Sequence, residues 1–195
     1  MPIMNDRRAI IIAGVPGVGK TTISRALAER FGWKNISVSE LVVREGSLLG
    51  KDEHRDTDIV DLSRLNEIIA EAISASDGPL IIEGHYAYEV VPSSLVYCAI
   101  VLRRAPWVMK EELQGRGYSD EKTHENVEAE LLDVPLVEAI DALGPDLICE
   151  VDTTGRTPEE TLDEVIGIIK GTRLCRYNLV DWLGSPEARL LLEVK

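Results

Sequence analysis

Nine consecutive residues, Gly14-Val15-Pro16-Gly17-Val18-Gly19-Lys20-Thr21-Thr22, combine the side chains and backbone freedom needed to hold a polyphosphate. They fit G-x-x-x-x-G-K-[ST], the phosphate-loop pattern. Gly14, Gly17 and Gly19 let the main chain curl so that successive N–H groups converge, with no Cβ between them and phosphate oxygens. Lys20 supplies an ammonium for the outer phosphates and Thr21 a hydroxyl for Mg²⁺, while Thr22 opens a helix whose positive end favours anions. The chemistry is nucleoside triphosphate binding. Binding alone leaves hydrolysis, transfer to an acceptor and a nucleotide-gated switch open.

Other residues extend the set. Glu83-Gly84-His85 carries a carboxylate able to hold a metal-bound water and an imidazole able to orient water or take a proton near neutral pH. The polar stretch 37–60 contains Ser39, Arg44 and Arg55, which could cradle a second anion. Arg116-Gly117-Tyr118 breaks a helical pattern and reads as a short lid near residues 115–125. Phosphoryl transfer depends on positioning and charge neutralisation, so arginines on closing elements favour transfer to an acceptor.

These residues need elements to place them. Apolar runs at 9–13, 80–83, 98–102 and 147–151, with a shorter one at 35–39, read as buried strands. Helical patterns lie between them: Thr22 to Phe31, a brief helix from Glu40 to Glu45 capped by Ser39, and one after the N-cap Asp61. Another runs from Pro106 to about Gly115, then a long one from Ser119 that Pro135 interrupts. The last follows Thr157-Pro158-Glu159-Glu160, a capping box with Pro at the first position. Residues 46–60 read as turn-rich and without regular structure, and the tail 172–195 as one or two short helices packed on the body.

The alternation predicts an α/β P-loop NTPase fold, a doubly wound five-stranded parallel sheet with helices on both faces. The whole chain, 1–195, reads as a single domain with an insert at 37–60 and a lid. Gly14–Thr22, Ser39, Glu83–His85, Arg103-Arg104 and Asp152–Arg156 then fall at the carboxyl ends of the strands, where ligands of such sheets bind.

Composition limits the partners. A net charge of −13 disfavours extensive contact with nucleic-acid phosphates and suits a basic protein. No apolar run reaches the ~20 residues of a membrane span, and the run after Arg7-Arg8 is too short for export, so a cytoplasmic protein is expected. Cys98, Cys149 and Cys175 contain no C-x-x-C pair, so neither a zinc lid nor a disulfide framework is expected. Cys98 and Cys149 read as core residues.

Together these segments resemble the small adenylate kinase family known as isoenzyme six, the nuclear and archaeal type also described as a ribosome-assembly ATPase. The likeness spans residues 9–170. It rests on the phosphate loop, Ile36-Ser37-Val38-Ser39-Glu40-Leu41, Asp52-Glu53-His54-Arg55-Asp56-Thr57, Glu83-Gly84-His85-Tyr86-Ala87, Val101-Leu102-Arg103, Arg116-Gly117-Tyr118 and Asp152 to Glu160. It implies ATP + AMP ⇌ 2 ADP with Mg²⁺, ATP on Gly17, Gly19, Lys20, Thr21, Thr22 and Arg116, and the monophosphate near 37–60. By the same likeness Thr21 and Glu83 would serve the metal, and Gly84 and His85 the acceptor side. It also implies weak ATPase activity and association with a basic small-subunit ribosomal protein. Two positions depart from the pattern. Glu83-Gly84-His85 stands where nuclear relatives have Asp-Tyr-His, and Glu112 stands where relatives tend to carry an arginine one turn before Arg116, a role left for Arg103 or Arg104. A kinase for a non-nucleotide acceptor such as shikimate or gluconate is the further alternative.

Overall fold

A computed structural model describes residues 8–52 and 57–193. The strands are β1 (Ala9–Ala13), β2 (Lys34–Ser37), β3 (Leu48–Asp52), β4 (Thr57–Val60), β5 (Leu80–Glu83), β6 (Val96–Arg103) and β7 (Ile148–Asp152). The α-helices are α1 (Lys20–Phe31), α2 (Val38–Glu45), α3 (Leu62–Ser74), α4 (Ala87–Val90), α5 (Pro106–Gly115), α6 (Asp120–Leu131), α7 (Val134–Leu143), α8 (Pro158–Ile169) and α9 (Pro186–Glu193).

Five strands form the expected parallel sheet, in the order β2-β5-β1-β6-β7. β1 lies at its centre with every residue buried, which its continuous Ile/Ala run requires of a strand covered on both faces. Alternation divides that run between two cores. Ile11 packs with Leu65, Ile69 and Leu136 on one side, and Ile10 and Ile12 pack with Leu27, Met109 and Val165 on the other. The chain runs from β1 out to β2 and back to β5 on one side of it, then to β6 and β7 on the other. The sheet therefore splits its connections at the carboxyl end of β1, where an open α/β sheet forms its crevice.

The end signals read from sequence hold at several helices. Asp61 caps α3 by accepting from the Arg64 N–H at 3.0 Å. Ser119 caps α6 through the Lys122 N–H, and Thr157 with Glu160 completes a capping box on α8.

Other boundaries are corrected. β2 ends at Ser37 and α2 starts at Val38, so Ser39 sits in the first helical turn and meets the Ser37 hydroxyl at 3.0 Å. Residues 48–60 contain an antiparallel pair, β3 with β4, where no regular structure is expected; the adjacent Ser47 carbonyl accepts from the Asp61 N–H at 2.9 Å. The long helix after Ser119 is two helices. Asp133, with φ 58°, turns the chain between α6 and α7, and Pro135 lies in the first turn of α7 instead of kinking a continuous helix. Among the described residues the tail holds one helix, α9, preceded by a segment without regular secondary structure in which Asn178 has φ 58°. Cys149 is buried in β7 as expected, yet it is disulfide-bonded to Cys175; Cys98 alone is a free, buried cysteine. Among the described residues no helix is long and apolar enough to cross a membrane.

Candidate active site

The phosphate loop leaves β1 at Gly14, whose φ of 131° favours glycine. A Cβ there would stand 2.4 Å from the Leu102 carbonyl oxygen, so the loop can lie against β6 only without a side chain at this position. The loop re-enters helix at Gly19, a left-handed N-cap for α1 with no side-chain cap, which leaves the first-turn N–H groups facing the loop's concave side. Thr153, just past β7, braces the loop from below through its hydroxyl, 3.3 Å from the Val18 carbonyl.

Above this cradle lies a cleft of ≈ 370 Å³. Its floor is Gly17, Gly19, Lys20, Thr21 and Thr22; its far wall is Val38, Ser39, Glu83, Gly84, His85 and Tyr86; Arg116 and Tyr118 close it from the side. The structure thus brings Lys20, Thr21, Ser39, Glu83, Gly84, His85 and Arg116 to one cavity, from four separate stretches of sequence. A second hollow of ≈ 260 Å³ continues past the loop and is lined by Thr22, Arg104, Glu112, Arg116, Arg156 and Thr161 among others. Arg116 borders both, so this one residue, just past α5, spans the two hollows.

Two expected residues, Arg44 and Arg103, stand elsewhere. Arg44 projects from α2 with 69 % of its side chain exposed, pairs with Glu45 at 2.9 Å and does not line the cleft. Arg55 lies outside the described residues. Arg103 is fully buried and held by Glu130 at 2.7 Å, Glu150 at 2.6 Å and Asp133 at 2.5 Å. It cannot reach a transferred phosphoryl group. Of the two arginines left to stand in at that step, Arg104 remains, lining the second hollow and paired with Glu112. Gly84 lines the cleft, but its lack of a side chain also answers a packing demand: a Cβ there would come within 2.9 Å of Val38 Cβ at the start of α2.

Burial sets the electrostatics. It pushes the Lys20 ammonium down to about 8; the Glu83 and Glu130 carboxylates oppose that and Arg116 adds to it. Lys20 Nζ donates to the Val15 carbonyl at 2.9 Å, keeping the charge over the loop. Burial and then the Lys20 ammonium push His85 down to about 4, so its imidazole is neutral at physiological pH. A neutral imidazole can donate at one nitrogen and accept at the other. The proton-accepting role near pH 7 read from sequence therefore narrows to orienting a ligand or a water.

The two residues expected to serve Mg²⁺, Thr21 and Glu83, offer oxygen donors, the kind that cation takes. Glu83, 5 % exposed at the end of β5, points its carboxylate at the Thr21 hydroxyl, with both oxygens 3.4–3.5 Å from Oγ1. Among the described residues no group of three or more His, Cys, Asp or Glu forms a metal cage. One hydroxyl and one carboxylate suit a cation that keeps waters and takes its remaining ligands from substrate phosphates.

Sequence reading gives no role to Tyr86, which lines the cleft, or to Thr161, which lines the second hollow. Tyr86 carries a signal, since it adjoins His85.

Comparison with known proteins agrees with this geometry. A family described as AAA domain matches residues 10–133. A protein of Thermococcus onnurineus (strain NA1) bearing the name "Putative adenylate kinase" is 39 % identical over 173 residues, 89 % of this chain and 90 % of the relative. A protein of the same name from Methanocaldococcus jannaschii is 39 % identical over 186 residues, 95 % of this chain and 99 % of the relative. Among solved structures, a Candida albicans thymidylate kinase superposes with a TM-score of 0.55 at 14 % identity, covering 85 % of this chain and 92 % of its own. A gluconokinase from Sinorhizobium meliloti 1021 gives 0.54 at 18 % identity, covering 86 % and 94 %. At those identities the two structures establish the fold.

Proposed function

We propose that this chain, which belongs to the AAA-domain family of P-loop proteins and to the same family as the Thermococcus and Methanocaldococcus proteins, is an ATP:AMP phosphotransferase acting in the cytoplasm. The observation that carries the reading is the single cleft floored by the phosphate loop and walled by Ser39, Glu83, Gly84 and His85, with Arg116 at its border. Such a cleft seats a donor and an acceptor face to face.

ATP lies with its phosphates on the main-chain N–H groups of Gly17 to Thr22, and its β- and γ-phosphates meet the Lys20 ammonium. AMP enters against Ser39, Gly84 and His85, which directs its phosphate at the γ-phosphorus. That phosphate is already anionic at neutral pH, so attack needs no general base. The O–P bond to AMP forms as the bond to ADP breaks. Lys20 and Arg116 neutralise the charge spread over the transferred group. Thr21 and Glu83 would hold Mg²⁺, which when bound neutralises phosphate charge and orients the oxygens. Arg116, 58 % exposed and held only loosely by Glu112 at 4.0 Å, is free to swing onto the phosphates as the lid closes.

The test is ADP formation from ATP with each nucleoside monophosphate in turn. AMP should be the strongly preferred acceptor, and Lys20→Ala should abolish turnover. Equal rates with all monophosphates, or retained turnover in Lys20→Ala, would overturn the reading.

A second output of the same site is ATP hydrolysis. His85 supports it: transfer to an anionic acceptor needs no proton acceptor, and beyond its contact with the acceptor the neutral imidazole borders the cleft in a form able to orient water. In this reading the chain is a nucleotide-gated assembly factor for a basic small-subunit ribosomal protein, and the −13 charge favours such a partner.

A further inference from the structure

Between α8 and α9 the chain runs as a strap beside β7, an edge strand of the sheet. Its main chain is tied to that edge by the Glu150 N–H donating to the Arg176 carbonyl at 2.7 Å. The Leu179 N–H donates to a Glu150 carboxylate oxygen at 2.6 Å. Further on, Trp182 is 8 % exposed, donates Nε1 to Glu130 at 3.1 Å and meets Trp107 of α5 edge-on at 5.6 Å. The strap thus adds a hydrogen bond to each of Glu130 and Glu150, the two fully buried carboxylates that hold Arg103. The Arg103 carbonyl in turn accepts from Thr153, whose hydroxyl also reaches the Val18 carbonyl of the phosphate loop.

Apolar packing fastens this strap at one place, where Trp182 and the half-buried Val180 lie with Ala105, Trp107 and Leu131. Along the rest Leu174 is 73 % exposed, and Tyr177, Leu179 and Leu183 are at least 40 % exposed, so those side chains bury little surface. The Cys149–Cys175 disulfide is the strong fastening, and its two sulfurs differ in access. Cys149 is 1 % exposed within β7, while Cys175 lies on the exposed strap.

We propose that the Cys149–Cys175 disulfide is a redox modification site, opened by a protein dithiol, that latches residues 172–185 over the Arg103 cluster behind the phosphate loop. A thiolate of the dithiol attacks the Cys175 sulfur, a mixed disulfide forms, and Cys149 leaves as a thiolate and takes up a proton. The second thiol of the reductant then displaces the Cys175 thiolate, which is protonated. The reductant ends as a disulfide, and the chain gains two electrons and two protons. The strap then keeps only its hydrogen bonds and Trp182, and exchanges with a released state.

The experiment uses the full chain purified without reductant. Alkylation after denaturation should label one cysteine, Cys98, and three after the folded protein is treated with dithiothreitol or reduced thioredoxin. The same treatment should shift tryptophan emission to longer wavelength and speed trypsin cleavage after Arg173 and Arg176 at least tenfold, and reoxidation should reverse both. Cys175→Ser should show the released behaviour without reductant, with Cys149→Ala as a second route to it, and Cys98→Ser should keep the full response. Three labelled cysteines before reduction would overturn the proposal. So would a disulfide that resists the dithiol until the protein is denatured, or reduction that leaves emission and cleavage unchanged.

Discussion

At the residue scale, the site is governed by two groups whose protonation the fold displaces. Lys20 rests at about 8, pushed there chiefly by burial, so above pH 8 much of the empty protein lacks the charge that phosphates need. Bound polyphosphate favours the ammonium and raises that value, so binding above pH 8 draws in a proton. ATP affinity should therefore be level on this account between pH 6 and 7, then fall by up to about tenfold per pH unit beyond 8. A fluorescent ATP analogue titrated from pH 7 to 9.5 checks this, and Lys20→Arg should remove the onset near 8; an unchanged Kd through pH 9 would contradict the assignment. His85, at about 4, is neutral across the working range and contributes no activity limb near pH 6.5. Its role in orienting water predicts that His85→Gly lowers ATP hydrolysis by roughly 10²-fold, while AMP phosphorylation changes by only about threefold. Equal losses in the two rates would show that His85 places a nucleotide instead.

At the element scale, the ion cluster joining β6, α6 and β7 carries the clearest consequence. Burial raises Glu130 to about 7 despite the pairing with Arg103, and one of its oxygens, Oε2, has no hydrogen-bond partner. As pH rises from 4.5 to 7 the unfolded chain gives up this proton while the folded chain keeps it, so stability from this group falls with pH and levels off above 7. Glu130→Gln should lose that dependence, becoming more favourable relative to wild type at pH 8 than at pH 5 in urea unfolding. A difference between the two proteins that does not vary with pH would contradict it. The cluster also marks where sequence reading stopped. β1, β5, β6 and β7 were legible because buried parallel strands are short apolar runs bounded by Gly, Pro or charge, and Asp61 and Thr157 announced their helices by local chemistry. Arg103 looked like a rim residue because it ends β6, but its side chain turns toward acids 27 and 47 residues away, which no local pattern records. The start of α2 was read as strand because Val38 and Ser39 favour extended structure locally, whereas Val38 is drawn against the bare backbone of Gly84. Cys149 and Cys175, 26 residues apart, meet only because the strap returns along β7.

At the scale of the whole molecule, one crevice serves both proposed outputs. The sheet order puts the donor loop on β1 and the acceptor wall on β5, its neighbour, so a nucleotide or a water enters from the same side. The acceptor wall carries the case for transfer, and the surface carries the case for partner-driven hydrolysis. A charge of −13 on 195 residues attracts a basic protein over distances of about one Debye length, ~10 Å at 0.1 M salt, and that attraction weakens as salt rises. If hydrolysis serves an assembly role, a purified basic small-subunit ribosomal protein should raise ADP production from ATP alone several-fold at 50 mM NaCl. At 300 mM NaCl most of that stimulation should be lost, while the AMP-dependent rate, set inside the cleft, changes little. Stimulation that survives high salt would assign the contact to apolar surface instead. No stimulation at either salt concentration, together with a strong requirement for AMP, would leave phosphoryl transfer as the function of the crevice.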